Sequence, residues 1–166
     1  MNKCIFLDRD GVINVDYVDY VYDLQKFQFI EGVQEALKKF KDAGYLLILI
    51  TNQSGIVKGI YKEEDVWTVY NHIQHETGEV LDDMYYAPYH EKWTNSLTRK
   101  PDSLMLEKAI AKYNIDISRS WMIGDKERDL IPGKKLGLMT GIVDNKCDVA
   151  DESGANLLDI SSKISK

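Results

Sequence analysis

The stretch that decides the fold is residues 4–14, Cys-Ile-Phe-Leu-Asp-Arg-Asp-Gly-Val-Ile-Asn, in which a short apolar run gives way to two acids and a glycine. The apolar run, 3–7, shows no polar alternation, which is typical of a strand buried on both faces of a sheet. Runs of the same kind predict four more strands, at 45–51, 84–87, 120–123 and 140–143. The chain therefore predicts a sheet that is covered on both sides.

Segments with helical periodicity lie between the predicted strands. Apolar residues spaced i, i+3, i+4 and i+7 predict a helix that buries one face, namely Val33, Ala36, Leu37 and Phe40. A second helix is predicted over 63–76, a third begins at Pro101, and a fourth begins near Pro132 or is kinked there. This alternation indicates an α/β fold with a doubly wound, Rossmann-like parallel sheet, because right-handed crossovers place helices on both faces.

Composition indicates one folded domain, which we place over 1–166. Hydrophobic residues make up 44% of the chain and charged residues 29%, a globular balance. The net charge is −6 and no lysine or arginine run exceeds two residues, which argues against nucleic-acid binding. The longest apolar stretch is far short of the ~20 residues that span a bilayer. We expect a soluble, cytoplasmic monomer with no membrane association.

The two cysteines, Cys4 and Cys147, have no CxxC spacing. In a cytoplasmic chain, cysteines so far apart are most often unpaired thiols. We expect neither a disulfide nor a thiolate metal site.

Acidic residues follow two of the predicted strands at the edge where ligands bind in such sheets. Asp8 and Asp10 follow the first strand and can converge on one cation, and Gly11 allows a tight turn there. Asp125, followed by Lys126, adds a third carboxylate after the strand 120–123. Three carboxylates in one cleft repel each other, so we expect a divalent cation, and all-oxygen ligands favour Mg²⁺.

Groups suited to an anion lie at the same predicted edge. Residues 51–55, Thr-Asn-Gln-Ser-Gly, supply hydroxyls, amides and free backbone N–H groups after the second strand. Arg99 and Lys100 place two cations ahead of a helix N-terminus, where the helix dipole adds to their attraction for an anion. The sequence therefore predicts a phosphate site beside the cation site.

These motifs resemble those of the haloacid dehalogenase superfamily of phosphohydrolases, which carry an Asp-x-Asp, a Thr or Ser, a Lys and a terminal acid. Within the superfamily the chain is similar to the D-glycero-D-manno-heptose 1,7-bisphosphate 7-phosphatases, with the histidinol-phosphate phosphatases as close relatives. The resemblance runs from about Cys4 to Val143 and rests on residues 8–14, 51–59, 99–101 and 124–126. Ser54 favours the heptose branch, because histidinol-phosphate phosphatases usually carry an acid at that position.

The resemblance implies a Mg²⁺-dependent phosphatase that removes the 7-phosphate of heptose 1,7-bisphosphate through an aspartyl-phosphate, in heptose nucleotide biosynthesis for lipopolysaccharide or capsule. In this mechanism Asp8 is the nucleophile and Asp10 is the general acid and base. Asp8 and Asp125 bind Mg²⁺ through their side chains and Asp10 through its carbonyl. Histidinol phosphate and other small sugar phosphates stay open as alternative substrates.

The remaining site residues are expected to hold the substrate, a small phosphorylated sugar. Thr51 and Lys100 complete the catalytic set by holding phosphate oxygens as charge spreads over them in the transition state. Asp129 is expected to orient Lys126 or metal-bound waters. Arg99 meets the far end of the substrate, where a second phosphate gives it a partner. The residues that we assign to substrate binding are Arg9, Asp16, Tyr20, Asn52, Gln53, Ser54, Arg99 and Lys126.

Larger members of the superfamily cover the site with an inserted cap domain. The spacing between Asp8 and Thr51, and between Thr51 and Lys100, leaves no room for a cap in this chain. Loops must therefore shield the site.

The resemblance fails at one place, the loop before the Arg-Lys pair. The heptose phosphatases usually hold a zinc there, through a Cys-x-His and a later Cys-x-Cys. The corresponding positions in this chain are Ala87, Tyr89, Ser96 and Thr98, and these side chains do not replace thiolates as zinc ligands. We predict no structural zinc and a solvated His90.

Two non-enzyme functions compete with a phosphatase. A signalling receiver domain also binds Mg²⁺ among acids, but its phosphorylated Asp follows a middle strand, whereas Asp8 follows the first strand. A non-catalytic binding domain on the same fold is disfavoured, because every chemical position of the motifs is filled. A stable aspartyl-phosphate or resistance to a chelator would separate a receiver from a phosphatase.

Overall fold

The computed structural model describes residues 1–17 and 19–164, so residue 18 and the last two residues of the predicted domain lie outside the described residues. In this range, strands and helices alternate. They are β1 (Cys4–Leu7), α1 (Val33–Asp42), β2 (Leu46–Asn52), α2 (Glu63–Thr77), β3 (Asp83–Ala87), α3 (Leu104–Tyr113), a short 3₁₀ turn (Ile117–Arg119), β4 (Trp121–Gly124), α4 (Glu127–Leu136), β5 (Met139–Val143), β6 (Glu152–Gly154) and α5 (Leu157–Ile164).

The strands form one parallel sheet in the order β3-β2-β1-β4-β5-β6. Chain order reverses at β1, which pairs with β2 on one side and β4 on the other; Ile5, for example, lies opposite Leu47 and Trp121. The predicted doubly wound α/β fold is thus confirmed. The reversal places the carboxyl ends of β1, β2 and β4 side by side, where ligands bind in such sheets.

Helices cover both faces of the sheet. One face packs α1, α2 and α5 against side chains such as Ile5 and Leu47, and the other packs α3 and α4 against side chains such as Phe6 and Met122. Helix α1 buries its predicted face completely, and each of its larger side chains contributes about 1.5–3 kcal/mol by leaving water. None of the helices in the described part of the chain combines the length and apolar character that crossing a bilayer requires.

Two edge strands differ from the sequence prediction. Strand β3 has only one neighbour, so Tyr85 and Tyr86 stay half-buried, and the expectation that this strand is buried on both faces was wrong. Strand β6 and helix α5 were not predicted. β6 has only three residues, with the sequence Glu-Ser-Gly, and carries no apolar pattern because it lies at the opposite edge.

One predicted helix start was also wrong, and for another helix one of the two predicted alternatives is excluded. Helix α3 begins at Leu104 rather than at Pro101. Helix α4 begins at Glu127, well before Pro132, because the Asp129 carboxylate accepts a hydrogen bond from the backbone N–H of Lys126 (3.1 Å) and caps the first turn. Pro132 lies inside this helix, where it lacks the N–H that would bond the preceding turn.

Candidate active site

A polar cleft of about 330 Å³ lies at the carboxyl edge of the sheet. Its floor comes from the ends of β1 and β2 and from the loop before α3, and its walls come from residues 16–17 and 19–21 and from the turn after β4. Among the described residues, the segments after β1 and β2 form loops and one helix rather than an inserted domain. The cleft brings together most of the predicted site residues, namely Asp8, Arg9, Asp10, Asp16, Tyr20, Asn52, Gln53, Ser54, Arg99, Lys100 and Lys126.

At the floor of the cleft, Lys100 lies between two carboxylates. Its Nζ is 2.9 Å from Asp8 Oδ1 and 2.8 Å from Asp129 Oδ1, and it donates to the carbonyl oxygen of Ile50 at 2.8 Å. Lys100 and Asp129 are almost completely buried, and Asp8 is exposed only at its tip. A buried charge that lost its partners here would be strongly destabilising. The structure therefore gives Asp129 the role of counter-ion to Lys100, rather than a partner of the Lys126 side chain.

The charged groups in this cluster shift one another's pKa values. Burial raises the pKa of Asp8 to about 7, with Lys100 opposing the shift and Asp129 and Asp10 adding to it. Burial alone would lower the pKa of Lys100, but the Asp129 and Asp8 carboxylates outweigh it and raise that pKa. Burial opposes ionisation of Asp129 as well, yet Lys100 holds its pKa below the usual range. Asp129 and Lys100 therefore form a stable ion pair, and Asp8 is the group whose charge depends on its surroundings.

Asp10 is held by three side chains. Its Oδ1 accepts from Arg9 Nη2 at 2.9 Å, from Arg9 Nε at 3.3 Å and from Asn14 Nδ2 at 3.0 Å, while its Oδ2 accepts from Gln53 Nε2 at 3.2 Å. Arg9 is 2% exposed, and its Nη2 also donates to the carbonyl oxygen of Val21 at 2.6 Å. Arg9 borders the cleft, but its guanidinium is turned toward Asp10 and the loop rather than toward open space.

The loop after β2 ties the site to the segment before α3. Asn52 Nδ2 donates to the Lys100 carbonyl at 3.1 Å, and the Lys100 N–H donates to Asn52 Oδ1 at 3.0 Å, so the Asn52 side chain holds the Lys100 backbone on both sides. Thr51 is 1% exposed and, like Asp125 and Asp129, does not border the cleft; its Oγ1 accepts from Gln53 Nε2 at 2.9 Å. Gln53 thus lies between Thr51 and Asp10.

Three carboxylates in this region could hold a metal ion. Asp8, Asp125 and Asp129 each offer one oxygen, and these oxygens lie within 4.8 Å of one another. Asp125 Oδ1 is buried and has no hydrogen-bond partner among the described residues. A Cβ at position 11 would lie 2.5 Å from Asp125 Oδ2, so Gly11 lets the β1 loop approach this carboxylate closely. A buried, unpartnered carboxylate oxygen beside a second acid fits a hard cation such as Mg²⁺.

The outer cleft carries several ion pairs that hold its walls. Lys126 Nζ is 2.6 Å from Asp16 Oδ2 and 3.3 Å from Asp125 Oδ2, which joins the wall at Asp16 to the end of β4. Arg99 binds Glu91 at 2.9 Å and donates to the Tyr89 carbonyl at 3.1 Å. Asp16, Lys126 and Arg99, which were predicted to bind substrate, therefore also hold the loops of the cleft together.

Three basic side chains that border the cleft had no predicted function. Lys58 donates to Tyr20 Oη at 2.6 Å, and its place in the 51–59 motif is the sequence signal that could have identified it. Arg128 lies in the first turn of α4 and carries no motif signal. His90 was expected to be solvated, but its side chain is only 15% exposed and packs edge-on against Trp93 with ring centroids 5.4 Å apart.

The loop that precedes Arg99 is held by polar contacts at two of the positions considered for zinc. Ser96 Oγ lies 2.7 Å from Thr98 Oγ1, and the Thr98 N–H also donates to Ser96 Oγ at 3.3 Å. Ala87 is fully buried at the end of β3, and Tyr89 is exposed. The absence of a structural zinc stays a prediction.

Comparison with known proteins adds independent information. Residues 3–137 match the haloacid dehalogenase-like hydrolase family. The chain is 40% identical over 151 residues to D-glycero-β-D-manno-heptose-1,7-bisphosphate 7-phosphatase of Haemophilus ducreyi, covering 85% of this chain and 82% of the relative. It is 43% identical over 169 residues to the protein of that name from Photorhabdus laumondii, covering 93% and 88%.

One solved structure has nearly the same fold as the chain. The crystal structure of D,D-heptose 1,7-bisphosphate phosphatase from B. bronchiseptica, complexed with magnesium and phosphate, matches with a TM-score of 0.89 and 21% identity. The match covers 98% of this chain and 97% of the other. At that identity the match shows the fold.

Proposed function

The chain belongs to the haloacid dehalogenase-like hydrolases and, within them, to the D-glycero-β-D-manno-heptose-1,7-bisphosphate 7-phosphatase family, and on this premise we propose that it removes the 7-phosphate of that sugar bisphosphate through an aspartyl-phosphate on Asp8. The observation that carries the proposal is the buried ion-pair cluster, in which Lys100 lies between Asp8 and Asp129 and a third carboxylate, Asp10, lies near Asp8. Hydrolysis of a phosphate ester needs a positively charged group beside the nucleophile, because the anionic oxygens of the ester otherwise repel the attacking carboxylate.

The acids of this site fit Mg²⁺, the ion in the B. bronchiseptica complex. Asp8 and Asp125 would hold it through their carboxylates and Asp10 through its carbonyl. Asp129 belongs to Lys100, because its Oδ1 already pairs with the ammonium and its Oδ2 caps α4. When bound, the ion supplies positive charge that offsets the charge of the transferring phosphoryl group.

In the proposed reaction, the carboxylate of Asp8 attacks phosphorus, and its orientation is held by Lys100 Nζ at 2.9 Å and by the Arg9 N–H at 2.8 Å, both at Oδ1. The new bond joins Asp8 to phosphorus, the bond from phosphorus to the sugar oxygen breaks, and Asp10 gives its proton to that oxygen. Water then attacks the phosphorus and gives a proton to Asp10, while the acyl-phosphate bond breaks and frees Asp8. Splitting the hydrolysis in this way replaces one difficult displacement by two easier ones.

The other residues bind and position the substrate. Lys100 stays protonated between its carboxylates and holds positive charge near the transferred phosphoryl group. The outer cleft offers further cations for the second phosphate, at Lys58, Arg99, Lys126 and Arg128. Four cations at the mouth of one cleft, in a chain of net charge −6, support a substrate with anionic groups at both ends.

The proposal is tested by phosphate release from the purified protein with Mg²⁺. Substrates are the β and α anomers of heptose 1,7-bisphosphate and histidinol phosphate, with chelator-treated protein as the control. We expect a kcat/KM for a heptose bisphosphate at least ~100-fold above that for histidinol phosphate. Slow release without discrimination, or undiminished release after chelation, would contradict the proposal.

A further inference from the structure

A tyrosine hydroxyl that no step of the mechanism uses lies directly behind the cleft. Tyr61 is 5% exposed, and its Oη donates to Gln53 Oε1 at 2.6 Å. Burial raises the pKa of Tyr61, so the phenol stays protonated and remains a donor. Tyr61 does not border the cleft. The side-chain partner through which its hydroxyl can act on the reaction is Gln53.

The ring of Tyr61 is fixed on several sides. Tyr22 stacks on it with centroids 5.1 Å apart and an interplanar angle of 17°, and Tyr20 meets it edge-on at 5.7 Å. The loop after β2 approaches so closely that a Cβ at Gly55 would lie 1.9 Å from the ring. The hydroxyl is thus held in one place relative to Gln53.

This hydrogen bond determines which end of the Gln53 amide faces the active site. Because the phenol donates to Oε1, the NH₂ group points the other way and donates to Asp10 Oδ2 at 3.2 Å and to Thr51 Oγ1 at 2.9 Å. The opposite orientation would place the amide oxygen against the Asp10 carboxylate. The relay therefore runs from Tyr61 through Gln53 to Asp10.

The two oxygens of Asp10 are in different positions for proton transfer. Oδ1 accepts three N–H groups from Arg9 and Asn14, whereas Oδ2 accepts only the amide of Gln53 among the described residues. Oδ2 is therefore the oxygen with capacity to carry the proton that passes to the leaving group and returns from water. The position of Oδ2 depends on Gln53.

We infer that Tyr61 is a positioning residue for proton transfer, acting through Gln53 to hold Asp10 Oδ2 in place, an inference that rests on the proposed function of Asp10. The contribution is to the chemical step and not to substrate affinity, because Tyr61 has no surface in the cleft. A phenylalanine at this position keeps the packing and removes only the donor.

The test compares Tyr61→Phe with Tyr22→Phe, a matched control in the same stack, whose ring is only half-buried. We expect Tyr61→Phe to lower kcat about 10-fold and to leave KM within 2-fold of the unmodified value. General acid–base groups accelerate reactions by ~10²–10⁴-fold, and Tyr61→Phe disturbs the position of one such group. Tyr22→Phe should leave kcat and KM unchanged. In a Gln53→Ala background, Tyr61→Phe should change kcat by less than ~2-fold. An equal loss in both backgrounds, or no loss in either, would overturn the inference. Thermal melts of each variant confirm that the proteins compared are folded.

A second measurement does not depend on activity. In ¹⁵N NMR spectra, the side-chain amide of Gln53 should exchange with water at least ~5-fold faster in Tyr61→Phe than in the unmodified protein or in Tyr22→Phe, because loss of the hydroxyl frees the amide. Unchanged exchange would overturn the positioning role alone. A protein that releases no phosphate from any ester, yet shows the expected exchange, would instead overturn the proposed function and with it the proton-transfer role.

Discussion

Replacing Gly11 by alanine should weaken both metal binding and the fold, and the loss of metal binding should be specific to this position. Gly11 has φ +84°, a conformation that alanine adopts only at a cost, and its missing side chain faces the Asp125 carboxylate. Two effects therefore follow from one methyl group. One is local backbone strain, and the other is displacement of a proposed magnesium ligand.

The two effects are similar in free energy but are measured separately. The left-handed backbone costs about 1–2 kcal/mol for a residue with a Cβ, which corresponds to a midpoint of thermal unfolding lower by ~2–8 °C in a chain of this length. The new Cβ would lie 2.5 Å from Asp125 Oδ2 and 2.6 Å from Cγ, so the carboxylate must move by roughly an ångström to reach ordinary contact distance. Moving a metal ligand or its support typically costs ~10–100-fold in metal affinity. We expect the Mg²⁺ concentration for half-maximal activity to rise by that factor.

The assay is a Mg²⁺ titration of phosphate release, paired with thermal melts in chelator. Gly78→Ala is the matched control, because Gly78 has φ +74° at the end of α2 and a Cβ added there would meet nothing within 4 Å among the described residues. This variant should lose similar stability and keep the Mg²⁺ dependence of the unmodified protein. A Gly11→Ala protein with an unchanged Mg²⁺ midpoint would refute the assignment of Asp125 as a ligand.

Three further predictions concern carboxylates. Asp8→Asn should abolish turnover and keep the fold, because an amide cannot form the acyl-phosphate; measurable turnover in a folded Asn variant would exclude the covalent route. Asp129→Asn keeps the α4 cap but removes one partner of buried Lys100, which retains Asp8 at 2.9 Å. Urea unfolding should show that the free energy of unfolding falls by ~3 kcal/mol. A fall below ~1 kcal/mol would contradict the ion-pair role of Asp129. Partial burial opposes ionisation of Asp151, but Lys134 and the Thr140 N–H outweigh it and lower the Asp151 pKa. The stability that Asp151 contributes is therefore present above its unfolded pKa of ~4 and is lost as pH falls through the folded value. Between about pH 5 and pH 3, the free energy of unfolding of Asp151→Asn should consequently fall less than that of the unmodified protein. Parallel plots of unfolding free energy against pH for the two proteins would contradict this.

Much of the fold follows from periodicity alone. The buried strands β1, β2 and β4 are continuous apolar runs, and α1 has the spacing of a half-buried helix, so each was predictable from local sequence. Strand β6 was not, because an edge strand of three residues owes its pairing to β5 and not to its own composition. The start of α4 depends on the side chain of Asp129, which outweighs the proline that suggested a later boundary.

The site was predictable to the extent that it follows strand ends. Asp8 and Asp125 lie where their motifs place them, because parallel strands bring their carboxyl ends to one edge, and Lys100 reaches the same edge from the loop before α3. The direction of each side chain was not predictable. Arg9 turns inward, where it pairs with its neighbour Asp10 and donates to the Val21 carbonyl, and Asp129 pairs with Lys100. The contacts of Arg9 with Val21 and of Asp129 with Lys100 join residues that only the tertiary fold brings together.

The sheet positions the reacting groups and the loops shape the mouth of the cleft, and this separation affects how such an enzyme can evolve. The reacting groups extend from the ends of central strands, whereas the loops after β1 and β3 carry most contacts at the mouth of the cleft. Insertions and substitutions in exposed loops cost little folding free energy. A lineage can therefore lose a stabilising feature of the outer loop, or come to accept a substrate with a different leaving group, while the residues that transfer the phosphoryl group stay the same. New specificities can then arise without unstable intermediate proteins.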